Sequence, residues 1–305
     1  MADSDKQARA AQWRETLKDI AREKGFFEEV GPAHKAIYIP QEGPAGKTLV
    51  VAFDNLDDVR QSSDRLPWAV DFISSQGWSS LGFMAHGMTW YRDDHVHDFF
   101  DRMQAERFFD QFERVVFYGT SMGGYAASVF SSAAPGSTVV AINPQATLSR
   151  ERAGWERRFR PAWRNDWTGR YGYAPDMVRD AEKVWLFYDS SNAPDSMHVA
   201  LYRGENIEKV ACPFMGHGML TVWRDMGVLK PVVSGCINGT ASRLEIARLM
   251  RARHLSGAYQ KMLLKHLEQT GDHAKIARLC RFVISKRHAP HFRNALARAE
   301  EALAR

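Results

Sequence analysis

Seven short apolar runs mark the first two thirds of the chain: 36-AIYI-39, 48-TLVVAF-53, 79-SSLGFM-84, 114-RVVFYG-119, 137-STVVAI-142, 183-KVWLFY-188 and 207-IEKVAC-212. Each is rich in β-branched or aromatic residues and too short for a helix, so each reads as a strand. Helical spacing fills most of the intervals. Continuous apolar strands alternating with helices predict an α/β fold, a mostly parallel sheet sandwiched by helices, whose ligands bind beyond the carboxyl ends of the strands. The polar start, MADSDKQARAAQWRETLKDIAREKG, reads as a helix and assigns residues 1–29 to an N-terminal helical segment. From about Ala241 the pattern turns to helices only, broken at Gly271-Asp272 and Ala289-Pro290. The expected organisation is therefore an α/β domain over 30–240 and an all-helical C-terminal extension over 241–305.

Composition narrows the class. At 305 residues and 45% hydrophobic content the chain can bury a large core. No apolar stretch approaches the roughly 18 residues needed to span a bilayer, and the charged start is unlike a signal peptide, so a cytoplasmic location is expected. Cys212, Cys236 and Cys280 are widely spaced without a CxxC pair, which predicts reduced thiols rather than disulfides or a zinc knuckle. Neither a cofactor nor a metal is expected. The net charge of +5 is uneven: residues 241–305 hold 14 Lys/Arg against 5 Asp/Glu, which is +9 and leaves −4 for the rest. Without a nucleic-acid motif, that basic tail reads as the solvated faces of amphipathic helices. Those helices are expected to pack on the main domain, a second copy in a homodimer or another protein.

Chemistry first shows at 117-FYGTSMGGYAA-127. A strand must turn into a helix of small residues within a few positions there, and Gly119, Gly123 and Gly124 permit it. The spacing Gly119-x-Ser121-x-Gly123 fits a nucleophile elbow, with the serine hydroxyl exposed on a strained turn. Such a serine needs an imidazole to take its proton and a carboxylate to orient that imidazole, in the chain order Ser, acid, His. Asp189 follows 183-KVWLFY-188 directly, and His217 lies in 215-MGHGM-219 after the next strand. Asp195 is the alternative acid, but it also suits the cap of the helix beginning at Ser196, so Asp189 is preferred. The oxyanion donors are expected at the backbone N–H of Met122 and in the loop 53-FDNL-56, at Asn55.

These residues resemble the α/β-hydrolase superfamily over roughly 30–235, with 119-GTSMGG-124 as the elbow and Asp189 and His217 completing the triad. The loop at Asn55 departs from the His-Gly usual there, and the C-terminal extension is not required by that family. More narrowly, 89-TWY-91, 121-SMGGYAA-127 and 143-NPQ-145 look like bacterial hydrolase domains met beside polysaccharide or glycosyltransferase modules. The spacing of Leu263, Leu264, Leu267, Ala274, Ile276, Ala277, Leu279, Pro290, Leu296, Ala297 and Ala299 faintly resembles a tetratricopeptide-type array, though its Trp and Tyr positions are missing. The resemblance implies a serine hydrolase that cleaves an ester-like acyl bond through an acyl-enzyme.

Two further segments bear on the substrate. The insertion 150-RERAGWERRFRPAWRNDWTGRYGYAP-175 is dense in Arg, Trp and Tyr and is expected to form a lid or pocket wall. Trp155 and Arg157 in it, with Trp90 and Tyr91 nearby, are the candidate substrate contacts. They favour a polar or anionic ester, an acylated saccharide included. In the alternative reading the tryptophans only pin the insertion to the body. His95, His97 and Asp98 imitate a metallohydrolase HxH core but lack further ligands, and 93-DDHVHDFFD-101 reads as the start of a surface helix. A catalytically silent scaffold that binds a partner through the basic tail is the competing functional reading.

Overall fold

The apolar runs become strands, mostly buried in all but the last, in a computed structural model that describes residues 15, 18, 19, 21, 25–56 and 65–304. Eight strands form one sheet: β1 (Phe26–Val30), β2 (His34–Ile39), β3 (Thr48–Phe53), β4 (Ser79–Ala85), β5 (Arg114–Thr120), β6 (Thr138–Ile142), β7 (Lys183–Tyr188) and β8 (Ile207–Ala211). Their spatial order is β1-β2-β4-β3-β5-β6-β7-β8. β1 and β2 are antiparallel to their neighbours and the other pairings are parallel. The seven anticipated strands are present within a residue or two. β1 is additional and falls partly in the segment expected to be helical, because FFEEV is a half-buried edge strand whose glutamates blur its apolar signal. It turns back through Gly31, whose φ of +65° suits a residue without Cβ. Most of the remaining N-terminal segment lies outside the described residues.

The chain divides into two compact units, residues 1–188 with 193–211, and residues 189–192 with 212–305. Among the described residues, the helices of six residues or more in the first unit are α1 (Val70–Ser75), α2 (Asp94–Ala105), α3 (Met122–Phe130) and α4 (Ala193–Leu201). One core joins sheet and helices, with Phe53, Phe83, Phe100, Phe117 and Phe130 packed as a ladder of rings. Every residue of α3 is buried, which its small side chains allow.

The second unit is helical: α5 (Met219–Asp225), α6 (Leu229–Ile237), α7 (Arg243–Leu249), α8 (Gly257–Thr270), α9 (His273–Lys286) and α10 (Pro290–Leu303). Its punctuation follows the sequence. Gly271 ends α8 in the left-handed region, Asp272 accepts from Lys275 N–H to cap α9, and Pro290 opens α10. Leu264, Leu267, Ile276, Cys280, Val283 and Phe292 form a separate apolar cluster among the last three helices. Among the described residues no helix is long and apolar enough to cross a membrane, and all three cysteines are buried and outside any disulfide.

Candidate active site

At the end of β5 the backbone takes the conformation that the glycine spacing anticipates. Ser121 has φ 51° and ψ −119°, a region L-residues enter at a cost of about 1–3 kcal/mol. The turn is held by Ser121 N–H donating to Ile142 O at 2.9 Å and by Tyr125 N–H donating to Ser121 O at 2.9 Å. A Cβ on Gly119 would stand 2.1 Å from Gly123 O, and one on Gly123 would stand 2.5 Å from Phe53 O. The first turn of α3 is thus drawn against the ends of β5 and β3. Met122 opens that helix and is buried. Its first-turn N–H groups have no partner within the helix and stand at the positive end of the dipole.

The loop after β3 meets the same point, since Gly123 also approaches Asp54 O. Asn55 lies there, nearly buried. Beside it Asp54 is wholly buried and accepts from Arg65 Nη2 at 2.5 Å, Ala85 N–H at 3.0 Å and Trp68 N–H at 3.2 Å. Burial pushes its carboxyl above the usual range, against the opposing pull of Arg65 and these N–H groups. Trp90 and Tyr91, anticipated as pocket lining, are enclosed core residues. The Trp90 ring packs on Tyr125, Phe159 and Trp167, and the Tyr91 hydroxyl donates to Asp54 O at 2.8 Å.

In the second unit Asp189 is 2% exposed. Its carboxylate accepts from the N–H groups of Ser191 at 2.8 Å, Phe214 at 3.0 Å and Gly216 at 2.6 Å, and from the Ser191 hydroxyl at 2.5 Å. Those bonds tie Asp189 to the segment that leads into His217, a half-buried residue. Phe214 and Gly216 both have positive φ, 62° and 72°, and a Cβ at Gly216 would press to 2.7 Å on Met262 Cε. Cys212 close by is no competing nucleophile, since burial and the Asp189 charge push its thiol up to about 12.

Asp195 has a different employment within the first unit. Fully buried in the first turn of α4, it accepts from Arg158 Nη2 at 2.8 Å. Arg158 also grips both oxygens of buried Glu156, at 2.5 and 3.0 Å. Glu156 stands 3.3 Å from His198 Nε2, and His198 Nδ1 accepts from Ala146 N–H at 3.2 Å. The imidazole is therefore neutral with its proton on Nε2, and burial keeps its pKa low. The Trp155 ring packs at a tilt against that imidazole, with ring centroids 4.5 Å apart. Three other arginines of the insertion lie over its aromatic rings, Arg150 and Arg160 over Trp163 and Arg152 over Tyr173, while Arg170 pairs with Asp98 and Asp101 of α2. Arg157 is exposed.

His95 and His97 open α2, a helix with one buried face, where Asp93 accepts from His95 N–H as the N-cap. His97 is buried between Arg92 and Asp94, and burial lowers its pKa. Among the described residues no group of His, Cys, Asp and Glu could hold a metal ion. Sequence reasoning missed Asp54, Arg65, Glu156 and His198. Asp54 alone left a trace, as the acid directly after an apolar strand.

The model of the Alpha/beta hydrolase family matches residues 45–295, so the match runs into the helices that the sequence set apart as an extension. No curated protein sequence matches the chain. Among solved structures, the capsule O-acetyltransferase of Neisseria meningitidis serogroup A is similar at 9% identity, with a TM-score of 0.47 over 71% of this chain and 98% of that one. A carboxylesterase of the thaumarchaeon Nitrososphaera gargenis is 12% identical, TM-score 0.45, over 70% of this chain and 100% of its own. A fluorophosphonate-binding serine hydrolase of Staphylococcus aureus is 11% identical, TM-score 0.42, over 68% and 94%.

Proposed function

Because the chain belongs to the alpha/beta hydrolase family, we propose that it is a serine ester hydrolase with Ser121 as nucleophile, His217 as base and Asp189 as the acid that orients it. It is an enzyme of the esterase or acyltransferase kind, and the elbow conformation of Ser121 is the observation on which the serine assignment rests. Asp189 is favoured over Asp195 because its hydrogen bonds run to the segment bearing His217, whereas Asp195 is spent on Arg158. His217 takes the hydroxyl proton as Ser121 Oγ bonds to the carbonyl carbon. The carbonyl electron pair moves to oxygen, which the N–H groups of Met122 and Asn55 hold. Collapse breaks the ester C–O bond, and the leaving alcohol takes the proton from His217. Water then repeats the sequence and frees the acid.

The substrate class we propose is a polar or anionic ester, an acylated saccharide included, with exposed Arg157 and half-buried Trp155 as its contacts in the insertion. The test is a panel of p-nitrophenyl and thioester substrates, neutral and anionic, together with a fluorophosphonate probe. Wild type should label at Ser121 and hydrolyse anionic esters best, and His217→Ala should abolish both reactions. Full turnover by Ser121→Ala would overturn the serine mechanism.

A further inference from the structure

The loop after β3 is braced from every side by groups that the reaction does not itself consume. Asp54 N–H donates to Phe83 O at 3.1 Å, so it is already committed and is not the oxyanion donor. Asp54 O accepts from the Tyr91 hydroxyl at 2.8 Å. The side chain of the same residue reaches three separate places: Arg65, the start of the turn before α1 at Trp68, and the end of β4 at Ala85. Arg65 Nη2 also lies 3.4 Å from Ala85 O. A wholly buried carboxylate is costly unless each oxygen is satisfied, and here N–H donors meet both. Such a cluster has one low-energy arrangement. The neighbouring residue, Asn55, inherits that fixity, and the contact of Gly123 with Phe53 O and Asp54 O sets the distance between this loop and the first turn of α3.

We infer that Asp54 is a positioning residue for the oxyanion site: its braced carboxylate, with the Tyr91 strut on its carbonyl, fixes the loop so that the Asn55 donor stands opposite Met122. The inference rests on the serine-hydrolase reading above. An oxyanion donor acts only when aimed in advance at the place where charge develops, and loss of one such donor lowers kcat by about 10²–10³-fold. A brace that holds the donor acts on the same quantity. It leaves ground-state binding alone, since the carbonyl oxygen of the bound ester carries little charge.

Asp54→Asn keeps the volume but removes the charge facing Arg65, and Tyr91→Phe keeps the ring but removes the strut. Kinetics on the best ester of the panel, inhibition by an aryl boronic acid and thermal melting should be measured for both. The boronic acid forms a tetrahedral adduct on Ser121 Oγ and reports the oxyanion site independently of turnover. Expected are a fall in kcat of about 100-fold for Asp54→Asn and about tenfold for Tyr91→Phe, KM within twofold of wild type, and a boronate inhibition constant that rises with the loss in kcat. A purely structural role would lower the melting temperature while kcat and boronate affinity stayed at wild-type values, and that result in either folded variant overturns the inference. Should Asp54→Asn fail to fold, Tyr91→Phe decides alone by the same two readouts. Unimpaired turnover by Ser121→Ala would instead overturn the underlying reading, whatever the Asp54 variant does.

Discussion

Asp189 and Asp195 are six residues apart, both buried, and surrounded by opposite kinds of partner. Asp189 is met by backbone N–H groups and one hydroxyl, none of which carries a charge that would hold it away from an imidazole. Asp195 faces a guanidinium at 2.8 Å. Asp189→Asn is therefore expected to cut kcat by about 10⁴-fold through loss of the correct histidine tautomer. Asp195→Asn should leave kcat within a few-fold and lower stability by about 1–3 kcal/mol, because Arg158 and Glu156 lose the third member of their cluster. Steady-state kinetics and urea unfolding on the two variants check this, and the reverse pattern would exchange their roles. At this scale the elbow at Ser121 is legible in the sequence, because few turns other than a nucleophile elbow set a serine between glycines at a strand end. Asp195 reads as a cap in the sequence because the arginine it meets lies 37 residues away along the chain. Trp90 and Tyr91 read as pocket residues because a bare aromatic pair next to a strand looks the same whether it lines a cleft or fills a core.

Among the elements, the insertion over 150–175 departs most from what its composition suggests. Arg150, Arg152 and Arg160 lie over its own aromatic rings, Arg170 pairs with Asp98 and Asp101, and Arg158 locks it through Glu156 to α4 and His198. That lock carries a pH dependence. Burial alone would raise the Glu156 carboxyl, but hydrogen bonds from His198 and Arg158 hold it down to about 2, from 4.5. A depressed folded-state pKa contributes stability that is present above about 4.5 and lost as pH falls toward 2. For Glu156 this amounts to about 3 kcal/mol. His198, kept neutral by burial, acts in the same direction below its usual 6.5, since only the unfolded chain takes up the proton there. Glu156→Gln should thus be less stable than wild type at pH 7, with the gap narrowing steadily between pH 4.5 and 3. Urea midpoints across that range measure it, and a gap independent of pH would refute the lock. The inner strands from β3 to β7 are readable because their apolar runs are largely buried. β1 is not, because Glu28 and Glu29 interrupt its short apolar run.

For the whole molecule, composition changes at Ala241 while the compact unit begins at Cys212, because α5 and α6 belong with the later helices although residues 212–240, with two Lys/Arg against one Asp/Glu, are close to neutral. Sequence shows charge and period, whereas compact units are defined by long-range contacts that neither quantity encodes. The three cysteine thiols all lie in the second unit, in different surroundings. Cys212 directly follows β8 and lies near Asp189, itself the residue after β7, so the chain ties it to two neighbouring strands of the sheet. Cys280 sits in the apolar cluster of α8, α9 and α10, whose contacts are local in sequence. Burial raises its thiol to about 11, so it stays protonated and slow to react while that cluster is intact. Helices packed on their immediate neighbours open at lower free energy than strands paired across a sheet. In a urea titration with pulsed alkylation and mass spectrometry, Cys280 should become reactive at a lower concentration than Cys212. Leu264→Ala, which removes a fully buried side chain from the cluster at a cost of about 2–5 kcal/mol, should move the Cys280 transition down and leave the Cys212 transition in place. If both thiols instead shifted together in that variant, the C-terminal helices and the Asp189 loop would be one cooperative body, and the smaller cluster would have no separate stability.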